Sequence, residues 1–329
     1  MKVLVTGGTG FIGSHVTRAA LGAGHQVRLF ARDPAKARTI FPPSGRSVTD
    51  VVPGDMRDAA AVAVAVSGCD AVVHCAAEVG VAGGSGPADG RANAKGARNV
   101  FHAAREAGCD PIIYASTVAA FLPSTDLVLT PRSLLAEPLS AYGASKRDAE
   151  VLAARLRAEG APVTSLVLGG VYGPGSPHID GASASIIGAM EAMMLVPPGG
   201  VGVIDVRDVA DLVTRLLVPG LAPRRVMAGG RFVTWDEWTA VLSEACGRKV
   251  PSRPVSAEDM VSLGQEMDRL RAAGQDTPPL SQEAAVIMSA GRPTDDGEAL
   301  CLLGREYRPT VDTFRDTVQF LRRTGRLAS

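Results

Sequence analysis

Val3-Leu4-Val5-Thr6-Gly7-Gly8-Thr9-Gly10-Phe11-Ile12-Gly13 runs from an apolar strand through a glycine-punctuated turn into a helix. Gly7 and Gly10 let a ligand come close to the backbone of the turn. Gly13 lets the helix pack on the sheet and aim its N-terminal amides at an anion. Phe11, Ile12, Val16, Ala19 and Ala20 continue at helical spacing until Gly22 and Gly24. A turn built this way cradles a dinucleotide pyrophosphate, which makes Gly7, Gly10, Phe11, Ile12 and Gly13 candidate cofactor residues.

Working outward, apolar β-type runs at Val27 to Phe30, Val48 to Val52, Ala71 to Cys75, Ile112 to Ala115 and Val163 to Leu168 alternate with helical stretches. Those stretches are Pro34 to Thr39, Ala59 to Val66, Arg91 to Glu106 and Ala141 to Ala158. Strict alternation with near-continuous apolar strands predicts an α/β fold, a Rossmann-type doubly wound parallel sheet. After Gly169 the pattern breaks into Pro-, Gly- and Ser-rich segments and the later helices Trp235 to Cys246, Ser256 to Ala273 and Thr310 to Thr324. This predicts a cofactor domain over 1–170, with 203–220 returning to it. A smaller substrate-binding lobe of 171–202 and 221–329 would lie over the strand ends.

The 329 residues are 46% hydrophobic, and 34 basic side chains balance 34 acidic ones, so no global field draws the chain to nucleic acid or an anionic membrane. The five cysteines are widely spaced with no Cys-x-x-Cys pair, which speaks against a disulfide framework or zinc site and fits a cytoplasmic protein. No signal peptide is expected, because Met1-Lys2 leads directly into the first strand. The apolar stretch Ile186 to Val196 is interrupted by Glu191 and is too short to span a bilayer. His74, His102 and His178 lack ligand-like spacing, so no metal is assigned.

The end of the second strand bears on the cofactor. An acidic residue there would bind the adenosine ribose of NAD, but Leu29-Phe30-Ala31-Arg32 holds none before Asp33. Arg32 and Lys36 are placed to grip a 2′-phosphate, which predicts NADP, with NAD possible. Asp55 could accept from the adenine amino group or cap the next helix. Farther on, Tyr142 and Lys146 sit four apart on a helix and share a face, so the ammonium would lower the pKa of the phenol. A phenol tuned in this way exchanges protons near neutrality. The strand Ile112 to Ala115 runs on into Ser116 and Thr117, two hydroxyls at the same rim of the sheet.

Thr6 to Gly13, Gly54-Asp55, His74-Cys75-Ala76-Ala77, Asn93-Ala94-Lys95-Gly96, Ala115-Ser116-Thr117, Tyr142 to Lys146 and Val171-Tyr172-Gly173-Pro174-Gly175 together resemble the extended short-chain dehydrogenase/reductase family. The likeness covers the chain to about residue 210. It implies that Thr117 polarises a carbonyl, Tyr142 is the general acid/base, and Lys146 holds the nicotinamide ribose and tunes Tyr142. Met56, Ala76, Ala77, Ser116, Leu168, Gly169 and Val171 would line the cofactor, and Asn93 would support the site. Relatives of this kind often form homodimers through the two helices at Arg91 to Glu106 and Ala141 to Ala158.

Departures from the family pattern narrow the reading. Val118-Ala119 follow Thr117 where sugar dehydratases carry Asp-Glu, so proton transfer for dehydration is lost. Val201 stands where nucleotide-sugar epimerases place an arginine for the diphosphate, and no Lys or Arg occurs between Arg157 and Arg207. Ile186, Ile187, Met190, Met193, Met194 and Leu195 form either a core-facing helix or, if some face the cleft, an apolar substrate wall. The segments Val27 to Pro34 and Tyr307 to Gly325 look most like the dihydroflavonol reductase and hydroxysteroid dehydrogenase branch. The expected function is an NADP-dependent oxidoreductase moving hydride between NADPH and a carbonyl or secondary alcohol of an apolar small molecule. The alternative is an NAD-dependent epimerase that retains its cofactor; a non-catalytic cofactor sensor is more remote.

Overall fold

The computed structural model describes residues 1–42, 48, 50–77, 90–139, 141–275, 277–278 and 280–328; position 49 of the expected third strand lies outside them. Strands β1 (Lys2–Thr6), β2 (Gln26–Ala31), β3 (Asp50–Pro53), β4 (Ala71–His74), β5 (Ile112–Thr117) and β6 (Val163–Leu168) alternate with helices. These are α1 (Phe11–Gly22), α2 (Pro34–Ile40), α3 (Ala59–Val66), α4 (Gly90–Glu106) and α5 (Ala141–Ala158). Beyond them come β7 (Gly170–Tyr172), α6 (Gly181–Glu191), β8 (Met194–Val196), β9 (Gly200–Asp205), α7 (Val206–Leu216), β10 (Arg225–Ala228) and β11 (Arg231–Thr234). The chain continues through α8 (Trp235–Cys246), β12 (Ser252–Pro254), α9 (Ala257–Ala272), α10 (Gln282–Ala290), α11 (Gly297–Leu303) and α12 (Thr310–Arg323).

Seven strands form one sheet in the order β10-β6-β5-β4-β1-β2-β3, with every neighbouring pair parallel. The sheet is buried on both faces, as a parallel sheet must be. Val3 and Val5 of β1 join the core that also holds Val16 of α1 and Val213 of α7, whereas Leu4 joins the opposite core with Phe101 of α4 and Leu156 of α5. Alternate residues thus enter different cores, which is why the strand has no polar alternation. The strand order reverses between β1 and β4, and the crevice at their carboxyl ends is where such sheets bind ligands.

A second body is built on the three-stranded sheet β11-β9-β7, the pair β12-β8, and a core of Tyr172, Ile186, Met190, Met194, Trp238 and Phe314. Two differences from the sequence reading stand out. β10, assigned above to the lobe, pairs with β6 at the edge of the main sheet. The segment 203–220, expected to return to the cofactor domain, begins instead within β9 of the three-stranded sheet, which ends at Asp205. There the buried carboxylate accepts from Arg207 N at 2.8 Å and starts α7, which packs against α1. The end of the chain is tied to this junction. Thr313 Oγ1 donates to Asp205 at 2.8 Å, and buried Asp208 accepts from Arg308 N at 2.8 Å and Arg305 Nη2 at 2.7 Å.

His74, at the end of β4 beside the strand reversal, is a core residue. It stacks on Tyr114 at 5.8 Å, and its Nδ1 lies 2.7 Å from Thr6 Oγ1. Thr6 Oγ1 accepts from Ala76 N at 3.4 Å, which leaves its proton to be donated to an unprotonated Nδ1. Burial, and then the nearby Lys146 charge, push the imidazole down to about 3. The unfolded chain therefore binds a proton below the usual histidine range that the folded chain does not. The resulting stability is fully present above pH 6.5 and is lost as the pH falls from there towards 3. His74→Gln should flatten the urea-measured stability profile between pH 6.5 and 5, removing a slope of up to about 1.4 kcal/mol per pH unit. An unchanged slope would mean the ring takes up protons freely in the fold.

Candidate active site

The turn after β1 is shaped by close backbone approach. A Cβ on Gly13 would lie 2.2 Å from Gly7 O, and one on Gly7, whose φ is +71°, would lie 2.6 Å from Ala76 N. Only glycine satisfies both, so the start of α1 is pressed onto the turn, and the turn onto the segment after β4. A cleft of about 700 Å³ opens above this junction, lined by Gly7, Gly10, Phe11, Ile12 and Gly13. This bare cradle facing a helix N-terminus fits the diphosphate of a dinucleotide.

The same cleft gathers residues from six further segments. Arg32 and Lys36 follow β2, Asp55 and Met56 follow β3, and Ala76 and Ala77 follow β4. Ser116 and Thr117 end β5, Tyr142 and Lys146 come from α5, and Leu168, Gly169 and Val171 lie around the end of β6. Asn93 is the exception among the expected cofactor residues. It is buried on α4 behind α5, where its Nδ2 donates to Ser145 Oγ at 3.4 Å and Ser145 Oγ donates to Tyr142 O at 2.7 Å. It braces the turn that carries Tyr142 and does not line the cleft.

Asp55 does not cap α3; Asp58 does, accepting from Ala60 N at 2.9 Å. Arg57 instead forks onto Asp55 at 2.9 and 2.6 Å, and these hydrogen bonds outweigh burial to hold its carboxyl at about 2. Lys146 is buried, with Nζ 5.6 Å from the ring centre of Tyr114 and 5.8 Å from that of Tyr142. Desolvation lowers its ammonium to about 8. The phenol moves the other way from the sequence expectation. Burial, and then the Glu283 carboxylate, push Tyr142 up to about 12. Helical spacing brings Lys146 near, but the desolvation that accompanies burial disfavours phenolate by more than the ammonium favours it.

The outer half of the cleft is lined by Tyr172, His178, Asp180, Gly181, Ala182 and Ser185. The sequence assigned none of these to the cleft: Tyr172 stood in a family-like motif, His178 was weighed only as a metal ligand, and the others lay in a Gly-, Pro- and Ser-rich stretch. Asp180, three residues before Ser183, was the available signal, because its carboxylate caps α6 by accepting from Ser183 N at 2.9 Å. The segment before α6 is held by Arg326, which donates to Ser176 O at 2.7 Å and Pro177 O at 3.1 Å. Of the suspected apolar wall, Ile186, Met190 and Met194 belong to the lobe's core and Met193 is exposed; none of the six lines the cleft. No helix among the described residues is long and apolar enough to cross a membrane.

Comparison with known proteins adds the following. Over its whole length the chain is similar to sterol demethylase protein B of Methylococcus capsulatus, 25% identical over 99% of both chains. It is 32% identical to a 3-beta-hydroxysteroid dehydrogenase of Mycolicibacterium neoaurum over 39% of this chain and 35% of that protein. The crystal structure of gox2253 matches with a TM-score of 0.81 at 25% identity, covering 99% of both chains. Six solved structures at 17 to 24% identity, among them a UDP-glucose 4-epimerase from Bifidobacterium longum, hold NAD and none NADP. That epimerase matches with a TM-score of 0.73 over 99% of both chains.

This overturns the expected NADP preference. The geometry supplies a reason. Arg32 is exposed at the rim and its charge acts on the Asp55 carboxylate, while the Asp33 carboxylate caps α2 directly beside Lys36. The cations after β2 thus stand among carboxylates. The description "NAD dependent epimerase/dehydratase family" matches residues 3–229. The chain belongs to that family and is an NAD(P)-dependent oxidoreductase of small molecules.

Proposed function

We propose that the protein is an NAD-dependent oxidoreductase acting at a CH–OH carbon, with Tyr142 as general acid/base. The observation that carries this reading is the convergence of Thr117, Tyr142 and Lys146 on the same cleft as the glycine turn. A dinucleotide held along the cleft by the glycine turn of Gly7, Gly10 and Gly13 and by Leu168, Gly169 and Val171 would supply the hydride acceptor for a carbinol carbon and, once reduced, the hydride donor for a carbonyl. Tyr142 takes or gives the hydroxyl proton, and Thr117 hydrogen-bonds the oxygen as its charge changes. Lys146 supplies the positive charge that offsets phenolate, and helix α5 holds the two one turn apart.

Two outcomes of this chemistry are distinguished by separate observations. Family membership, the NAD-bound sugar-nucleotide enzymes of the same fold, and the polar outer wall of Tyr172, His178, Asp180 and Ser185 favour an epimerase that retains NAD. The absence of Lys and Arg between Arg157 and Arg207, with full-length likeness to sterol demethylase protein B, favours net oxidation of an uncharged alcohol. The comparisons weigh towards the first.

Calorimetric titration of nucleotide-stripped protein should give tighter binding for NAD than for NADP; the reverse order by tenfold would sink the cofactor assignment. Protein denatured straight after purification should release close to one equivalent of NAD if the cycle retains it, whereas an empty preparation that accumulates NADH with sterol alcohols would point to net oxidation. Tyr142→Phe should lower turnover of UDP-hexoses or sterol alcohols by about 100-fold or more while NAD affinity stays within a few-fold, as expected for a lost acid/base. Retained turnover would remove Tyr142 from the chemistry.

A further inference from the structure

Glu283 reaches the catalytic turn of α5 from the other lobe and has no part in the reaction scheme above. A Cβ on Gly143, the neighbour of Tyr142, would lie 2.4 Å from Glu283 Oε1 and 3.6 Å from its Cδ. The carboxylate therefore occupies the space in which a side chain at position 143 would sit. Its support is extensive. Ser281 caps α10 by accepting from Ala284 N at 3.1 Å, and Asp268 of α9 accepts from Gln282 N at 2.9 Å. Arg271 pairs with Asp268 at 2.8 Å and donates to Pro278 O and Leu280 O, each at 2.9 Å. A Cβ on Gly264 would lie 2.5 Å from Ser281 O, so α9 and α10 meet backbone to backbone; at the far end Trp235 Nε1 donates to Met288 O at 2.9 Å. α10 is thus anchored at both ends, and Glu283 touches α5 at Gly143.

Glu283 is the second residue of α10 and Gly143 the third of α5. A carboxylate between two helix N-termini sits where both macrodipoles favour negative charge, and here it lies beside the half-buried Tyr142. We propose that Glu283 is a positioning residue for Tyr142, coupling the placement of the C-terminal lobe to the charge against which the tyrosine hydroxyl works. The inference rests on the reading of Tyr142 as acid/base. Among the described residues, the charged and titratable groups facing that hydroxyl's surroundings are Glu283 from α10, Lys146 from α5 and Tyr114 from β5, with Cys75 and Glu150 acting on Lys146 and His74 within reach of the Lys146 charge. Burial and Glu283 both act to keep the phenol protonated. The site at rest is thus set for proton donation, and displacement of α10 would release that bias.

The chain has four tyrosines, so ¹³Cζ-tyrosine labelling with NMR can follow Tyr142 directly, its signal assigned by loss in Tyr142→Phe and its titration recorded with saturating NAD. Glu283→Gln should shift the Tyr142 midpoint down by about one pH unit, tenfold more phenolate at a given pH. Glu283→Asp, which keeps the charge, should shift it less. Gly143→Ala, which displaces the carboxylate without removing it, should shift it in the same direction as Glu283→Gln. A folded Glu283→Gln protein whose Tyr142 titrates as in the wild type would overturn the proposal. If Glu283→Gln fails to fold, an unshifted Gly143→Ala would do so. The readout needs no turnover: activity retained by Tyr142→Phe would defeat the catalytic reading while leaving the titration interpretable.

Discussion

The contact between Gly13 and the carbonyl of Gly7 is the constraint on which the rest of this molecule depends. A methyl group at position 13 would sit 2.2 Å from that oxygen, so a side chain there would push α1 away from the turn. α1 also carries the packing of α7, and α7 carries the carboxylates that tie down the end of the chain. A void of one atom at the turn thus determines both the anion cradle and the docking of the second lobe. The neighbouring joint at Gly7 and Ala76 brings the ends of β1 and β4 together, and the neutral His74 with Thr6 seals it from beneath.

The active residues are held in surroundings that oppose their charged forms. Lys146 is buried and its ammonium weakened; Tyr142 is half-buried and its phenolate strongly disfavoured. Desolvation makes each charge costly alone and the pair of opposite charges favourable together, because attraction between them is screened less than in water. The first turn of α5 is braced on one side through Ser145 and Asn93 and on the other by the carboxylate of Glu283.

What could be read from the sequence was local. The glycine turn, the continuous apolar strands, the strand-end hydroxyls of Ser116 and Thr117, the Tyr142 phenol and the Lys146 ammonium were legible from composition, spacing or family resemblance, and the cleft brings the turn and these side chains together. Three-residue strands such as β7, β8 and β12 carry too few residues for periodicity, and the start of α6 was hidden behind a run of glycine and proline although its apolar positions Ile186, Ile187 and Met190 already suggested a helix. Arg32 shows why the cofactor was misjudged: a guanidinium after the second strand suggests a phosphate, but the field it offers depends on Asp55, a residue from another strand end. Tyr142 shows the same limit for pKa. Spacing supplied the lysine, whereas the burial and the distant Glu283 that dominate are products of tertiary structure.

Arg326 carries one further consequence. Its guanidinium holds the carbonyls of Ser176 and Pro177, 150 and 149 residues earlier, where the chain passes along the outer wall of the cleft. On the ribosome the strands and helices of the first half emerge well before that guanidinium. They can pair and pack while the rim above them is still incomplete. The mouth of the cleft is therefore among the last parts of the molecule to be finished, and its closure reports that the C-terminal helix has docked.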